Sequence, residues 1–374
     1  KQFFLTTFAV VLGVAFLSGT LALRASMSDT FSTLLSSTAT ADIYVRGAKV
    51  ASDNNGSSNT EAAARSHPID GSLANEIKQV DGVKVAHAGV QLNGVLVGAN
   101  DAPVIGGGAP TLFLPLFDEE PGLKWVQGGR PQGDSEIALE SGALKRSGLK
   151  VGDTTHIVVQ GSPIEVKVVG EFNFGASMAG ATIIGLDPDW IMPIAAPDGR
   201  VSSISVYLTQ GASVDTVKSQ ITKVVPDGTR VQTRAEFIKE QNKTIETTLG
   251  FVQTFLLVFV VIAMFVGSFI IMNSFAMSVR QRVKEFALLR AVGASPGSVF
   301  GVVFLQAVII GIVGSALGVA SGAGLLAGLA AILKAMDLPL LESTGLTGPI
   351  IAISLAVGLA VTVVGALLPA REAA

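Results

Sequence analysis

Three histidines, His67, His87 and His156, are the chain's full complement of imidazole, and none has a second His or a carboxylate at metal-ligand spacing. Surface or strand positions are the plain reading of all three. Cysteine is absent, which excludes disulfides, thiolate metal sites and a Cys nucleophile. "GGG" at Gly106 to Gly108 and "GG" at Gly128 and Gly129 lack the Lys and Ser or Thr that complete a phosphate loop, so they read as turns, and no ATP site is expected in this chain. "GASPG", Gly293 to Gly297, fits the G-x-S-x-G of a hydrolase elbow. No strand precedes it and it lies between two apolar runs, so Ser295 reads instead as a helix cap with Pro296 in the first turn. Catalytic, metal and cofactor-binding residues are therefore expected to be none.

What remains is "VRQRVKEFALLRAVGASPGSVF", Val279 to Phe300, which sets Arg280, Arg282, Lys284, Glu285 and Arg290 between those runs. As one helix at about 100° per residue, Val279, Val283, Phe286 and Ala287 share a face that would lie along a membrane or on other helices. Leu288 projects from the opposite, polar side. A partner groove for Leu288 and a lipid-surface helix whose cations meet anionic headgroups both fit this pattern.

The elements that position this strip are membrane helices. Of 374 residues, 49% are hydrophobic and mean hydropathy is +0.56, too apolar for ordinary soluble domains. Four runs exceed the roughly 20 apolar residues of a crossing: Phe3 to Leu23, Leu249 to Phe275, Val299 to Leu333 and Ile350 to Leu368. The third is longer than one crossing and must tilt or project. A cleaved leader is the alternative reading of the first run, which is longer than the usual apolar core of about 7 to 15 residues. Arg280, Arg282, Lys284, Arg290, Arg371 and Lys1 flank the spans on one side, against Lys334 and Arg24 on the other, so the strip and both ends are expected to be cytoplasmic. Net charge is −3 and no basic stripe appears, which excludes a nucleic-acid partner.

The intervening half of the chain holds more Asp and Glu than Lys and Arg, as a solvated domain would. Ser26 to Thr40 and Arg234 to Leu249 read as a helical stalk, with Ile238, Ile245 and Val252 seven residues apart as its seam. Between them, alternation predicts strands in Ala41 to Gly47, Val83 to Gly98, Thr155 to Phe172 and Ser202 to Thr209. Helices are predicted at Ser72 to Gln79, capped by Asp70 or Ser72, and at Val214 to Val224, capped by Ser213. Ala51 to Ser66 reads as a mobile loop. The expected fold class is thus a membrane protein with four transmembrane α-helices and a large α+β extracytoplasmic domain inserted between the first and second. Its segments are span one at 1–25, the outer domain at 26–248, span two at 249–278, the strip at 279–297, span three at 298–336, a loop at 337–348, span four at 349–369 and a tail at 370–374. In span three, Gly314, Gly318, Gly322, Gly324 and Gly328 would form a small-residue packing face.

The strip resembles the R-x-x-E-x-x-x-L-R-x-x-G-A block of FtsX-like, or MacB-like, permeases of ABC transporters (the type VII superfamily). Four further pieces are similar and occur in the family's order: "TADIYVRG", "VQGGRPQGDSEIALESGALKRSGLKVGDT", "VVGEF" and "ALLPAREAA". The resemblance implies a coupling helix seated on a separate ATPase, with Arg282, Glu285, Leu288, Leu289, Arg290, Gly293 and Ala294 at that interface or shaping it, and Arg280 and Lys284 counted with them as coupling residues. It also implies ATP and Mg bound by the partner ATPase (a homodimer), a second permease module or subunit, contact with membrane lipid, and a possible extracytoplasmic protein partner. The mechanism it implies is mechanotransmission, for export or extraction of a lipid, lipoprotein, peptide or drug, or alternatively for activating an extracellular partner such as a cell-wall hydrolase. Gln306 departs from the Glu of many relatives early in span three. The matching pattern is that of the long actinobacterial type, of which this chain would be the first of two four-span modules, in a bacterial plasma membrane.

Overall fold

The computed structural model describes residues 2–49, 66–104, 110–175, 178, 180–292, 295–335 and 345–373, with only the backbone described at some helical positions. All of the expected loop at 51–66 except Ser66, and the glycines at 106–108, lie outside them. Two compact units emerge: Lys1–Asp29 with Leu249–Leu333 and Leu341–Ala374, and Thr30–Thr248 with Lys334–Leu340.

Among the described residues four helices are long and apolar enough to cross a membrane: α1 (Gln2–Thr38), α6 (Arg234–Gln281), α8 (Pro296–Ala335) and α9 (Gly348–Ala373). Each runs past the apolar segment that marks it, since a hydrophobic run fixes the buried length and not the cap. α6 starts where Thr233 and Glu236 form a reciprocal capping box: the Thr233 amide donates to Glu236 Oε2 (2.8 Å) and the Glu236 amide to Thr233 Oγ1 (3.3 Å).

The inserted domain is one lobe threaded into another. A four-stranded antiparallel sheet, in the order β13-β1-β12-β3, is built from β1 (Ile43–Arg46), β3 (Val83–Gly89), β12 (Ser203–Leu208) and β13 (Arg230–Thr233). Helices α2 (Leu73–Lys78) and α5 (Val214–Val224) cover it, burying Leu73 and Ile77, and Val217 and Ile221, at helical spacing against Ile43, Val45, Ile204 and Val206. Ser213 caps α5 through Thr216 N. Ser72 does not cap α2: it is already helical, and Asp70 Oδ1 accepts from the Ser72 amide instead (2.8 Å). A two-stranded ribbon pairs β2 (Ile69–Asp70) with β11 (Arg200–Val201).

Inserted between β3 and β12 is the second lobe: β4 (Leu92–Leu96), β5 (Thr111–Pro115), β6 (Lys124–Gly128), β7 (Glu136–Glu140), β8 (Thr154–Val159), β9 (Ser162–Asn173) and β10 (Thr182–Leu186), with short helices α3 (Ser141–Ser147) and α4 (Pro188–Ala195). Its order is β6-β9-β7-β10-β5-β4-β8, and β8 also pairs with β9, so six strands close into a barrel with β6 on its rim. Alternation in β9 turns Val166 and Val168 inward, while beyond a bulge in the β7 pairing Phe172 packs in a separate cluster with Leu116, Ala138, Met178 and Ile183. Phe113, Ile137, Leu139, Ile157, Ile184 and Leu186 are fully buried with Val166 and Val168.

The run Val83 to Gly98, expected as one strand region, divides at Val90 and Gln91 between the two sheets. Thr155 to Phe172 is a hairpin whose Gln160 and Gly161 both take positive φ (49° and 84°), as a two-residue reversal requires.

Candidate functional site

The strip is not one helix. α6 ends at Gln281, the Arg282 amide donates to Val279 O (3.0 Å), and α7 (Val283–Ala291) begins anew. That closure spans three residues in place of four, which rotates α7 out of phase with α6. The expected shared face of Val279 and Val283 is thereby broken: Val279 is 7% exposed, packed with Phe275, Val303, Ala366 and Ala370, whereas Val283 is 53% exposed. Ala287 is exposed too, and the side chain of Phe286 lies outside the described set. Ser295 caps α8: its Oγ accepts from the Ser298 amide (3.3 Å) and lies 2.9 Å from Ser298 Oγ.

Arg280, Lys284 and Glu285 are exposed and Arg282 is half-buried. Leu288 is 68% exposed and Val292 89%, the latter closing the helix through its amide to Leu288 O (3.1 Å). Only the backbone of Leu289 and Arg290 is described, and Gly293 and Ala294 lie outside the described residues. The strip therefore offers large apolar side chains to the exterior, flanked by both signs of charge.

Packing of the membrane unit determines how firmly α8 is held. A Cβ at Gly314 would meet Val10 at 2.9 Å, one at Gly318 would meet Val14 at 2.7 Å, and one at Gly322 would meet Ala15 O at 2.7 Å, so these three glycines let α8 lie close along α1. Gly324 and Gly328 do not share that face. No described atom outside the immediate chain lies within 4 Å of a Cβ at either, because two and six residues beyond Gly322 the helix has turned through roughly 200° and 240°. Sequence spacing alone did not reveal the partners on the other helices: Ser18, Gly358 against Ser315, and Thr6 Oγ1 at 2.6 Å from Ser274 Oγ.

In the inserted domain Ile238 packs with Leu35, Ala39, Tyr44 and Phe237, and Ile245 is half-buried. Val252 belongs to the other unit and its side chain lies outside the described set. Sequence reasoning missed what surrounds Ile238. Glu240 gathers Arg230 Nη1 (2.7 and 2.9 Å), Lys49 Nζ (3.1 Å) and Gln232 Nε2 (2.5 Å), while Arg230 also donates from Nε to Gly47 O (3.0 Å) and from Nη2 to Ser66 Oγ (2.6 Å). Burial pushes the Glu240 carboxyl up, but the donors from Arg230, Lys49 and Gln232 outweigh it and hold it down at about 2. The first turns of α6 are thus joined to β13 and to the end of β1. The signal available in sequence was "RVQTRAEFIKEQ", a strand ending in a capping box.

His87 stacks on Phe117 (4.0 Å), and His156 lies 3.9 Å from Glu165. Among the described residues no group of three or more His, Asp or Glu is arranged to hold a metal ion.

Four apolar helices with an α/β insertion between the first and second define a multi-pass membrane protein carrying a large extramembrane domain. The sequence profile of the MacB-like periplasmic core domain matches residues 3–224, and that of the FtsX-like permease C-terminal region matches residues 257–374. The chain belongs to the FtsX-like and MacB-like permeases of ABC transporters. Among curated relatives, an uncharacterized ABC transporter permease protein of Mycobacterium tuberculosis is 25% identical over 186 residues, 49% of this chain and 20% of that protein. An uncharacterized ABC transporter permease of Methanocaldococcus jannaschii is 24% identical over 165 residues, 44% of this chain and 40% of that one. These matches thus span less than half the length of either relative. Solved structures similar in part are the periplasmic region of MacB from Actinobacillus actinomycetemcomitans (13% identity, 54% of this chain, 92% of that one, TM-score 0.40) and the extracellular domain of the noncanonic ABC-type transporter YknZ from Gram-positive bacteria (12%, 51%, 99%, 0.37).

Proposed function

We propose that the chain is a permease module that couples ATP hydrolysis by a separate ABC ATPase to motion of its inserted domain, exporting or extracting a lipid, lipoprotein, peptide or drug. The strip from Arg280 to Ala294 lies on the cytoplasmic side with both ends of the chain and is the seat of that ATPase, a homodimer that binds ATP and Mg; the inserted domain is extracytoplasmic. A second permease module, in the same polypeptide or another, completes the pair. One observation supports the reading above others: Leu288 and Val292, large and apolar, are exposed on a short helix between two apolar helices and beside Lys284 and Glu285. An apolar group surrounded by charge is what a partner groove takes up.

Copurification of the chain with a co-expressed ABC ATPase, and ATP turnover in nanodiscs, test this for wild type, Glu285→Arg and Leu288→Asp. Loss of the complex and of permease-stimulated turnover in both variants, with melting unchanged, is the expected result. Unchanged binding and turnover would make the strip a lipid-facing anchor and remove the support for coupling through it.

A further inference from the structure

The segment from Leu116 to Leu123, between β5 and β6, is anchored to the barrel at both ends, by the Leu116 amide on Leu186 O (2.9 Å) and by packing of Leu116 and Leu123, while Phe117 to Gly122 reaches onto the other lobe. Phe117 stacks on His87 of β3 at 4.0 Å, and His87 Nε2 is 3.0 Å from Glu119 O. Lys84 of β3 pairs with the Glu119 carboxylate at 2.6 Å, and Arg130 pairs with Asp118. Gly122, at φ +97°, packs directly on Thr40, two residues past the end of α1. Between these contacts the Glu120 side chain is inserted. The Tyr207 hydroxyl of β12 donates to its Oε1 (3.3 Å) and lies 3.1 Å from Thr40 Oγ1. Glu120 Oε2 is buried without a hydrogen bond of good geometry. Tyr44, stacked on Phe237 at 4.1 Å, closes the far side.

We propose that this segment is a proton-operated latch: it binds the barrel to the root of α1 when Glu120 is protonated, and its hold weakens when Glu120 ionises. Such a carboxyl faces two weak donors and has an oxygen with no well-formed hydrogen bond, an arrangement that a neutral acid tolerates and an anion does not. Burial pushes Glu120 up to about 7, outweighing the Tyr207 hydroxyl and the Phe117 amide. A group whose pKa is raised in the closed form favours closure fully below its free value near 4.5, and that contribution is lost as pH rises through about 7. Burial lowers His87, against the pull of the Glu119 carbonyl and the Glu119 and Asp118 carboxylates, and Lys78 lowers it further. Its contribution therefore has the opposite sign, present above its free value of 6.5 and lost as pH falls. Asp42 and Arg234 also face the pocket through Tyr44. The two titrations oppose each other, so the native profile is shallower than either alone.

The test uses the whole chain in nanodiscs. Hydrogen exchange of the 116–123 amides, corrected for intrinsic rate, is followed from pH 5.5 to 8; the Leu123 amide, bonded to Glu120 O at 3.2 Å, is the reporter. In His87→Gln, protection should fall with rising pH by on the order of 25-fold, the part of one proton's linkage between 4.5 and about 7 that lies within pH 5.5 to 8. In Glu120→Gln the slope should reverse, and in the double variant it should vanish. Infrared difference spectra of the unmodified chain should show a buried protonated carboxyl titrating near neutral pH, absent from Glu120→Gln. A flat His87→Gln profile, or no such carboxyl band, overturns the proposal. The experiment needs no ATPase, so its outcome is separate from that of the coupling reading.

Discussion

Replacing Gly318 by Ala adds a single methyl group at the tightest carbon contact between α8 and α1. That carbon would stand 2.7 Å from Val14 Cβ and 3.0 Å from Val11 O, where ordinary carbon contacts need about 3.5 to 4.0 Å. Val14 is fully buried and β-branched, so it has no free rotamer into which to retreat. The helices must separate by roughly 1 Å, which costs about 1 to 3 kcal/mol as overpacking, and Ala returns about 1 kcal/mol through helix propensity. The net expectation is about 0 to 2 kcal/mol of destabilisation. Gly324→Ala, six residues on, meets nothing within 4 Å and should gain the propensity alone, about 0.5 to 1 kcal/mol. The two variants should therefore differ by about 1 to 3 kcal/mol in reversible SDS unfolding from mixed micelles, with Gly318→Ala the weaker. Equal midpoints would refute the close approach of α8 to α1, because helix propensity is common to both substitutions.

Three further outcomes are expected. Phe113→Ala, which empties the centre of the barrel, should lower thermal stability by about 3 to 5 kcal/mol without altering far-UV helix content. Gly345→Ala places a Cβ against Ala22 O at a φ of +58° and should destabilise the membrane unit more than Gly348→Ala, whose Cβ meets nothing within 4 Å; SDS midpoints read the difference. Glu240, held down at about 2, contributes stability that is complete above its free value near 4.5 and lost as pH falls toward 2, so acid should detach α6 from β13. Hydrogen exchange at 230–240 should rise across that window in the native chain, while Glu240→Gln should show raised exchange at neutral pH and little further change.

The four spans were legible because a run of apolar residues has no other use at that length. Much of the barrel was not. "TLFLP", "EIALE" and "TIIGL" show no alternation, since strands at its centre are buried on both faces: all five residues of Thr182–Leu186 are buried, as are four of Glu136–Glu140. Glu140 adds to the ambiguity by ending a strand and capping the next helix through Gly142 N and Ala143 N. The break at Arg282 had no glycine or proline to announce it, and so the strip read as one helix. The glycines of α8 were visible as a set, yet only a partner helix distinguishes Gly318 from Gly324. Nothing in "DEEPG" marks Glu120 as buried, because the surfaces that bury it come from β3, β12 and the end of α1.

The topology determines where a movement of the helices would be felt. α1 leads within a few residues into β1, and β13 runs directly into α6, while β1 and β13 are neighbours paired from Ile43↔Thr233 to Arg46↔Arg230. Displacing one helix root against the other is therefore a shear of two hydrogen-bonded strands, opposed by the ions gathered on Glu240 and by Arg234 Nη2 on Ser36 O (2.8 Å). In the proposed mechanism the four-stranded sheet would take the load first. The barrel, inserted between β3 and β12, would receive it through those two strand connections, through the packing of α4 against both cores, and through the segment at Glu120. In the proposed mechanism the Glu240 cluster sets how rigidly helix motion enters the domain, and the Glu120 latch sets how much of that motion the barrel shares. The two are separable, since one acid is held near 2 and the other near 7. Between pH 5.5 and 8 the entry of force should stay constant while its transfer to the barrel changes.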